Sequence, residues 1–356
     1  MDGFAVATPA DGGRWHVQGE LAAGDAPPAA PLRTGQAVRV MTGAPVPKGA
    51  VGVIMVEHAS VQDGVLHADP PSPGQHIRVQ GEVATRGAVV LAPGQRLSAE
   101  RIGVAAAFGA REVEVHAAPR VRVHATGDEL VGIEESPGPG QIRDSNRWSV
   151  AAAAADAGAR VSLGHIVPDT ERSVAEALEA AHDVDVLVLS GGVSMGAYDW
   201  VPRVLADLGA ELAFHKVAMR PGKPLIVSRL GRTLVFGLPG NPVSAVVSAR
   251  VFLTPVLLRL AGDRDPCPPR LLLPTATRLP PVGDRALFLP ATLRARGGAL
   301  EVQPHPTKGS ADAVHHSVGE ALIVRDIAEP EAPVGGLVRV LAYRSSALRE
   351  CAEVPA

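Results

Sequence analysis

The spacing of apolar positions changes three times along the chain. In residues 1–85 the apolar runs are short and broken by glycine and proline. β-like stretches at 14–20, 36–41, 51–57, 64–67 and 77–79 predict a small all-β module. Residues 86–118 read as a helical connector. Ser98 is placed to cap a helix through SAERIGVAAAFGA, with Glu100 in its first turn and Gly109 near its end. A short β-like stretch at 112–116 follows.

From residue 119 strands and helices alternate. VRVHA, RVSLGHIVPD, DVLVLS, ELAFHKVAM and TLVFGL are the predicted strands. DVLVLS is an unbroken apolar run, as a strand covered on both faces requires. Between them lie DSNRWSVAAAAADAGA, WVPRVLADLGA and TERSVAEALEAAHD, in which Val174, Ala177, Leu178 and Ala181 form one stripe. A long helix follows GLPGNP. This alternation predicts a doubly wound, mostly parallel sheet over 119–265. DRDPCPPR is a proline-rich linker, after which 266–356 returns to short strands with turns at PPVGD, RARGG and EAPVGG. The fold class expected is therefore multidomain α/β plus β: a β module (1–85), a helical connector (86–118), an α/β domain (119–265) and a second β module (266–356).

Composition narrows the function classes. A net charge of -3 over 356 residues lacks the basic excess of nucleic-acid binders. No run of about 18 uncharged apolar residues is present, so no membrane span is expected. The opening MDGFAVATPADGG has neither the basic nor the apolar region of a secretory signal. Cys267 and Cys351 are too few for a disulfide framework or a thiolate metal site, and a cytoplasmic setting is expected. Only four lysines occur among 34 basic residues, yet Lys216 and Lys223 share one segment, HKVAMRPGKP. The only two asparagines, Asn146 and Asn241, both sit in Gly/Pro/Ser-rich loops.

Ligands of doubly wound sheets bind at the carboxyl ends of the strands. The segments that follow the predicted strands are TGDEL, PDT, SGGVSMGAYD, 216–224 and GLPGNPVS. Gly191 and Gly192, with Ser194, allow backbone N–H groups to converge as an anion cradle; the same loop also reads as an ordinary tight turn. Pro239, Asn241 and Pro242 form a rigid loop at a helix start, which reads either as an anion site or as a well-capped helix. Asp128, Glu129, Asp144, Asp169 and Asp199 recur at strand ends, where carboxylates cap turns or, when several converge, suit a hard cation such as Mg²⁺. Lys216, Arg220 and Lys223 add fixed positive charge, beside His215. Together the loops describe a site for a large polyanion and a divalent metal. No GxGxxG follows the first predicted α/β strand, and neither a P-loop GxxxxGK[ST] nor HExxH is present in the sequence.

Read as a set, MDGFAV (1–6), RVMTGAPVPKGA (39–50), ATGDEL (125–130), QIRDSN (141–146), SGGVSMGAYD (190–199), KVAMRPGKPL (216–225) and GLPGNPVSA (237–245) closely resemble the MoeA family, which includes the gephyrin E domain. The resemblance implies an elongated four-domain subunit with a MogA-like molybdopterin-binding α/β domain and a small C-terminal β-barrel. It further implies a homodimer whose active site lies in a cleft between subunits. It implies a Mg²⁺-dependent molybdopterin molybdenumtransferase acting on adenylyl-molybdopterin and molybdate, with transient contact to a MogA-type adenylyltransferase. By motif, Asp2, Thr42, Glu129, Asp199, Lys216 and Lys223 carry over as catalytic. Gly191, Gly192, Ser194, Asp169, Arg220, Pro239, Asn241, Pro242 and Ser310 carry over as substrate-binding, and Glu129, Asp169 and Asp199 as metal-binding. Three departures accompany the match. Family members carry a helical stretch before MDGFAV, the family's GED reads Gly81-Glu82-Val83, and Pro290 stands where an arginine is expected. An alternative implied by these departures is a weak or inactive relative serving as a molybdopterin-binding or protein-binding module.

Overall fold

Short, glycine-punctuated strands can bury a core only by pairing widely, and the N-terminal strands do so. The computed structural model describes residues 2–193 and 199–343, and its internal contacts divide the chain into two units, Met1–Val90 and Leu91–Ala356. In the first unit six strands form one sheet in the order Gly52–Met55, Gly3–Val6, Gln36–Val40, Arg14–Leu21, Val65–His67, Ser60–Gln62. Phe4, Val6, Trp15, Ile54 and Leu66 make its principal core, and the Trp15 indole N–H, buried with them, donates to the Ala7 carbonyl (2.7 Å). Gly3–Val6 was not predicted. It is buried at all four positions, so it shows no alternation to detect. Residues 77–79 and 112–116, expected as strands, are irregular.

In the second unit the connector helix forms at Ala99–Ala107, capped by the Ser98 hydroxyl. The α/β sheet follows in the order Arg160–Val167, Arg120–Thr126, Val186–Ser190, Thr233–Leu238, Ile226–Leu230, Glu211–His215. The first four strands pair in parallel and the last two antiparallel. Val186–Ser190 is buried throughout, as its unbroken apolar run requires. Helices Asn146–Asp156 and Pro242–Leu260 supply one core layer through Val150, Ala153, Ala154, Ala245, Leu253 and Leu257. Helices Glu171–Glu179 and Trp200–Asp207 supply the other through Val174, Ala177, Leu178, Val201 and Leu205. By length and composition alone Pro242–Leu260 could cross a membrane. It carries Arg250 and Arg259, however, and core packing accounts for its apolar face.

The expected strand ELAFHKVAM is divided. Glu211–His215 remains in the α/β sheet, but Lys216 takes a left-handed φ of +68° and turns the chain away. Met219–Arg220 then pairs in parallel with Ala286–Leu287 of the C-terminal module. That module is a small barrel of strands Arg270–Pro274, Ala286–Arg296, Ala299–Pro304, Ala321–Arg325 and Leu337–Ala342. A bridge between Thr275 and Val302 closes it, with the Ala276 N–H donating to the Val302 carbonyl (2.8 Å). Leu279, Leu293, Val302, Ile323 and Val340 fill its interior.

Candidate functional site

Antiparallel pairing of Gly3 with Val40 brings Asp2 beside Thr42 in the first unit. The Asp2 carboxylate accepts the Thr42 backbone N–H (2.8 Å) and its hydroxyl (3.0 Å). Those two hydrogen bonds, the backbone one first, hold the Asp2 carboxyl below its ordinary value of 3.8. A Cβ at Gly3 would lie 2.2 Å from the Ile54 carbonyl oxygen, so only glycine lets the three strands close at this point. MDG and TGAP, two separate motifs in sequence, thus form one structural pair.

In the second unit the sheet register sets the site. Leu189, Gly237, Ile226 and His215 lie in one row across four strands, and Ser190 pairs with both Ala125 and Leu238. Ile166 and Val167 extend the row opposite Ala125 and Thr126. All five segments expected to carry chemistry therefore leave the sheet at one edge. The Gly191 N–H donates to the Leu238 carbonyl (2.9 Å). A Cβ on Gly191 would meet the Thr126 carbonyl oxygen at 2.4 Å, so the turn at Gly191-Gly192 sits directly on the 125–130 segment. Ser194 lies outside the described residues.

The carboxylates separate into different roles. Asp144 is buried, accepts the N–H groups of Asn146 (3.1 Å) and Arg147 (3.2 Å), and pairs with the Arg147 guanidinium. It is a helix-capping residue. Asp128 accepts the Asp169 N–H (3.0 Å), while the Trp200 indole donates to the Asp169 carbonyl (3.0 Å). Burial, then the charges of Asp128, Glu129 and Asp199, raise the Asp169 carboxyl above its ordinary 3.8. Asp128, Glu129 and Asp199 thus each lie near enough to act on the Asp169 carboxyl. Among the described residues, however, no three His, Cys, Asp or Glu side chains close into a metal cage. Asp128, Glu129, Asp169 and Asp199 offer carboxylate oxygens, the donor type of a hard cation.

The GLPGNP loop is placed as expected, but its helix start is occupied. The helix begins at Pro242, which has no N–H, and the Val243 N–H donates to the Ser310 carbonyl of the barrel (3.1 Å). Ala245 N–H is satisfied by the Asn241 carbonyl (2.9 Å). The N–H groups of Val243 and Ala245 are thus capped within the protein, in line with the second of the two readings of this loop. The structure does bring Pro239, Asn241, Pro242 and Ser310 together. The basic loop is fixed at its base, where Lys216 N–H donates to the Leu225 carbonyl (2.8 Å) and Val217 N–H to that of Lys223 (3.0 Å). Lys216, Arg220 and Lys223 are all exposed.

Of the sequence departures, Val83 is 78% exposed beside the turn closed by Glu82 on Val79, and Pro290 is buried in a barrel strand opposite Leu322. Sequence reasoning did not single out Asn146, Ser190 or Thr126 as site residues. Asn146 donates through Nδ2 to the Ser190 hydroxyl (2.9 Å) and the Gly240 carbonyl (2.7 Å), at the junction of three segments. The scarcity of asparagine was the available signal.

Comparison with known proteins agrees with this arrangement. Residues 1–109 match the MoeA N-terminal region (domains I and II), and residues 122–259 match the family described as "Probable molybdopterin binding domain". The chain is 40% identical over 317 residues to molybdopterin molybdenumtransferase 2 of Mycobacterium tuberculosis, covering 84% of this chain and 77% of that protein. It is 38% identical over 236 residues to the molybdopterin molybdenumtransferase of a Nostoc species, covering 65% of this chain but only 54% of the relative. The structure of a molybdopterin biosynthesis MoeA protein from Pyrococcus horikoshii superposes with a TM-score of 0.76 at 28% identity, covering 97% of this chain and 87% of that one. With five loops on one sheet edge, a closed terminal barrel and relatives of this kind, the chain belongs to the molybdopterin molybdenumtransferase family of molybdenum cofactor biosynthesis.

Proposed function

We propose that the chain takes adenylyl-molybdopterin and molybdate and yields the molybdenum cofactor with release of AMP. The observation that carries this reading is the single row of strand ends, which sets a backbone cradle, a carboxylate group and two lysines on one edge. Transfer at a phosphorus centre needs positioning and charge neutralisation more than a covalent nucleophile. In this reading the Gly191-Gly192 turn, with Ser194, receives phosphate oxygens. Pro239, Asn241, Pro242 and Ser310 wall the loop beside it. Lys216 and Lys223 neutralise charge on the departing adenylate, and Arg220 attracts the polyanion at longer range. Glu129, Asp169 and Asp199 would hold Mg²⁺, which supplies a Lewis-acidic charge to the phosphate oxygens. Within the N-terminal unit, Asp2, oriented by Thr42, is a proposed catalytic carboxylate.

The reading extends to the four modules 1–85, 86–118, 119–265 and 266–356, to a cytoplasmic homodimer, and to a MogA-type adenylyltransferase as the source of the adenylylated substrate. The direct test is incubation with adenylyl-molybdopterin, Mg²⁺ and molybdate while AMP is measured. Molybdate-dependent AMP release is expected, and Lys216→Arg should lose at least about tenfold in turnover, roughly 1.4 kcal/mol, because a planar guanidinium crowds a cradle built for an ammonium. Tight binding of adenylyl-molybdopterin without any release would favour the binding-module alternative.

A further inference from the structure

The chain carries two asparagines, and one of them, Asn146, is 92% buried at the meeting point of three loops. It opens the helix Asn146–Asp156, and its backbone N–H is held by the Asp144 carboxylate (3.1 Å), itself buried and paired with Arg147. From that fixed base the side-chain amide reaches the Ser190 hydroxyl (2.9 Å) and the Gly240 carbonyl (2.7 Å). Ser190, only 2% exposed, donates its hydroxyl to the Pro239 carbonyl (3.2 Å). The orientation of the amide is set by its partners, since a carbonyl such as that of Gly240 can only accept. No other side chain of this size fits the pattern. Aspartate has no donor, serine has one, and glutamine is a carbon longer.

We infer that Asn146 is a positioning residue: its amide ties the start of the Gly191-Gly192 turn to the Pro239-Gly240 loop, so that the two cradle segments keep one geometry. Without it, Ser190 retains only its bond to Pro239, and Gly240 loses the side-chain donor that faces it. Two ties between the loops then remain, the Ser190 hydroxyl on the Pro239 carbonyl (3.2 Å) and the Gly191 N–H on the Leu238 carbonyl (2.9 Å), and neither reaches Gly240. The amide thus sets where backbone donors are presented without itself touching substrate. This role rests on the proposed function only for the identity of the ligand.

The test compares Asn146→Ala, Ser190→Ala and their double variant with Val150→Ala. Val150 lies one turn further along the same helix, fully buried in the apolar core, and reports on stability alone. Amide hydrogen exchange is measured for segments 190–193 and 238–241 in the free protein. Steady-state AMP release from adenylyl-molybdopterin is measured in parallel. Asn146→Ala is expected to speed exchange at least tenfold in both segments together and to raise KM at least tenfold with kcat within threefold, since binding rather than chemistry is disturbed. Ser190→Ala should have a smaller effect. The double variant should be worse than Asn146→Ala by less than the two single effects combined, because both changes act on one network. Val150→Ala should lower the melting temperature yet leave KM and both segments within twofold. Unchanged exchange in either segment for Asn146→Ala, or an equal rise in KM for Val150→Ala, overturns the inference. Loosened segments in a protein that releases no AMP would sustain the positioning role and reject the proposed activity instead.

Discussion

At the scale of the residue, Lys216 joins Asp63, His76 and Ala328 among the described non-glycine residues with left-handed φ, and it is the one on the basic loop of the candidate site. A non-glycine residue at φ of +68° costs about 1 kcal/mol or more, and such strain collects where function maintains it. The neighbouring His215 Nε2 is buried without a hydrogen-bond partner among the described residues, a second local cost at the same turn. Lys216→Gly is therefore expected to raise unfolding stability by about 1 kcal/mol in urea titrations while strongly reducing AMP release. A variant that loses stability as well would show that the lysine side chain, not the turn, holds the loop. Gly191 presents the converse case, in which the fold demands the absence of a side chain.

At the scale of the element, the strand Arg120–Thr126 carries a titratable group into the core. His124 is 3% exposed, and burial, with the nearby charges of Arg122 and Arg147, pushes its pKa down to about 4. Its ring nitrogen accepts the His165 N–H (3.1 Å) at an irregularity in the strand pairing. Because the folded value lies below the unfolded one of about 6.5, the unfolded chain binds the extra proton. Stability from this group is complete above pH 6.5, falls as pH drops towards 4, and then levels, a change of roughly 3 kcal/mol. His124→Gln keeps an acceptor and cannot titrate, so the loss of unfolding free energy between pH 7 and pH 4.5 should be smaller in that variant. His124 also bears on how the fold could be read from sequence. VRVHA was legible as a strand because its valines alternate, whereas nothing local announces that the histidine is neutral and internal. The buried strand Val186–Ser190 and the capped helix Ala99–Ala107 were legible for the same kind of reason, continuous apolarity and a serine cap. Ile226–Leu230 was missed because it begins directly after a Gly-Lys-Pro turn. Met219–Arg220 was assigned to the wrong sheet because its partner lies more than 60 residues away. The loops of the candidate site were legible as motifs, but the hydrogen bonds of Asn146 and the capping of Val243 depend on long-range contacts.

At the scale of the whole molecule, the α/β domain and the barrel share a core. Met219, Val243 and Val247 pack with Leu322, Val324 and Leu341. Met219 is 1% exposed, so Met219→Ala should cost about 3 kcal/mol through lost burial and a residual cavity, measured by calorimetry. The same pairing has a consequence for the order in which the molecule is assembled. The six strands of the α/β sheet all lie before residue 239 and can pair as soon as that stretch has been synthesised. Met219–Arg220 finds its neighbour only when Ala286–Leu287 has emerged, and the start of the Pro242 helix receives its cap only with Ser310. Contacts of such long sequence separation form late. A nascent chain can thus hold a finished sheet while Met219–Arg220 still lacks its barrel strand, and on the proposed function the complete substrate site arrives as one of the last events of folding.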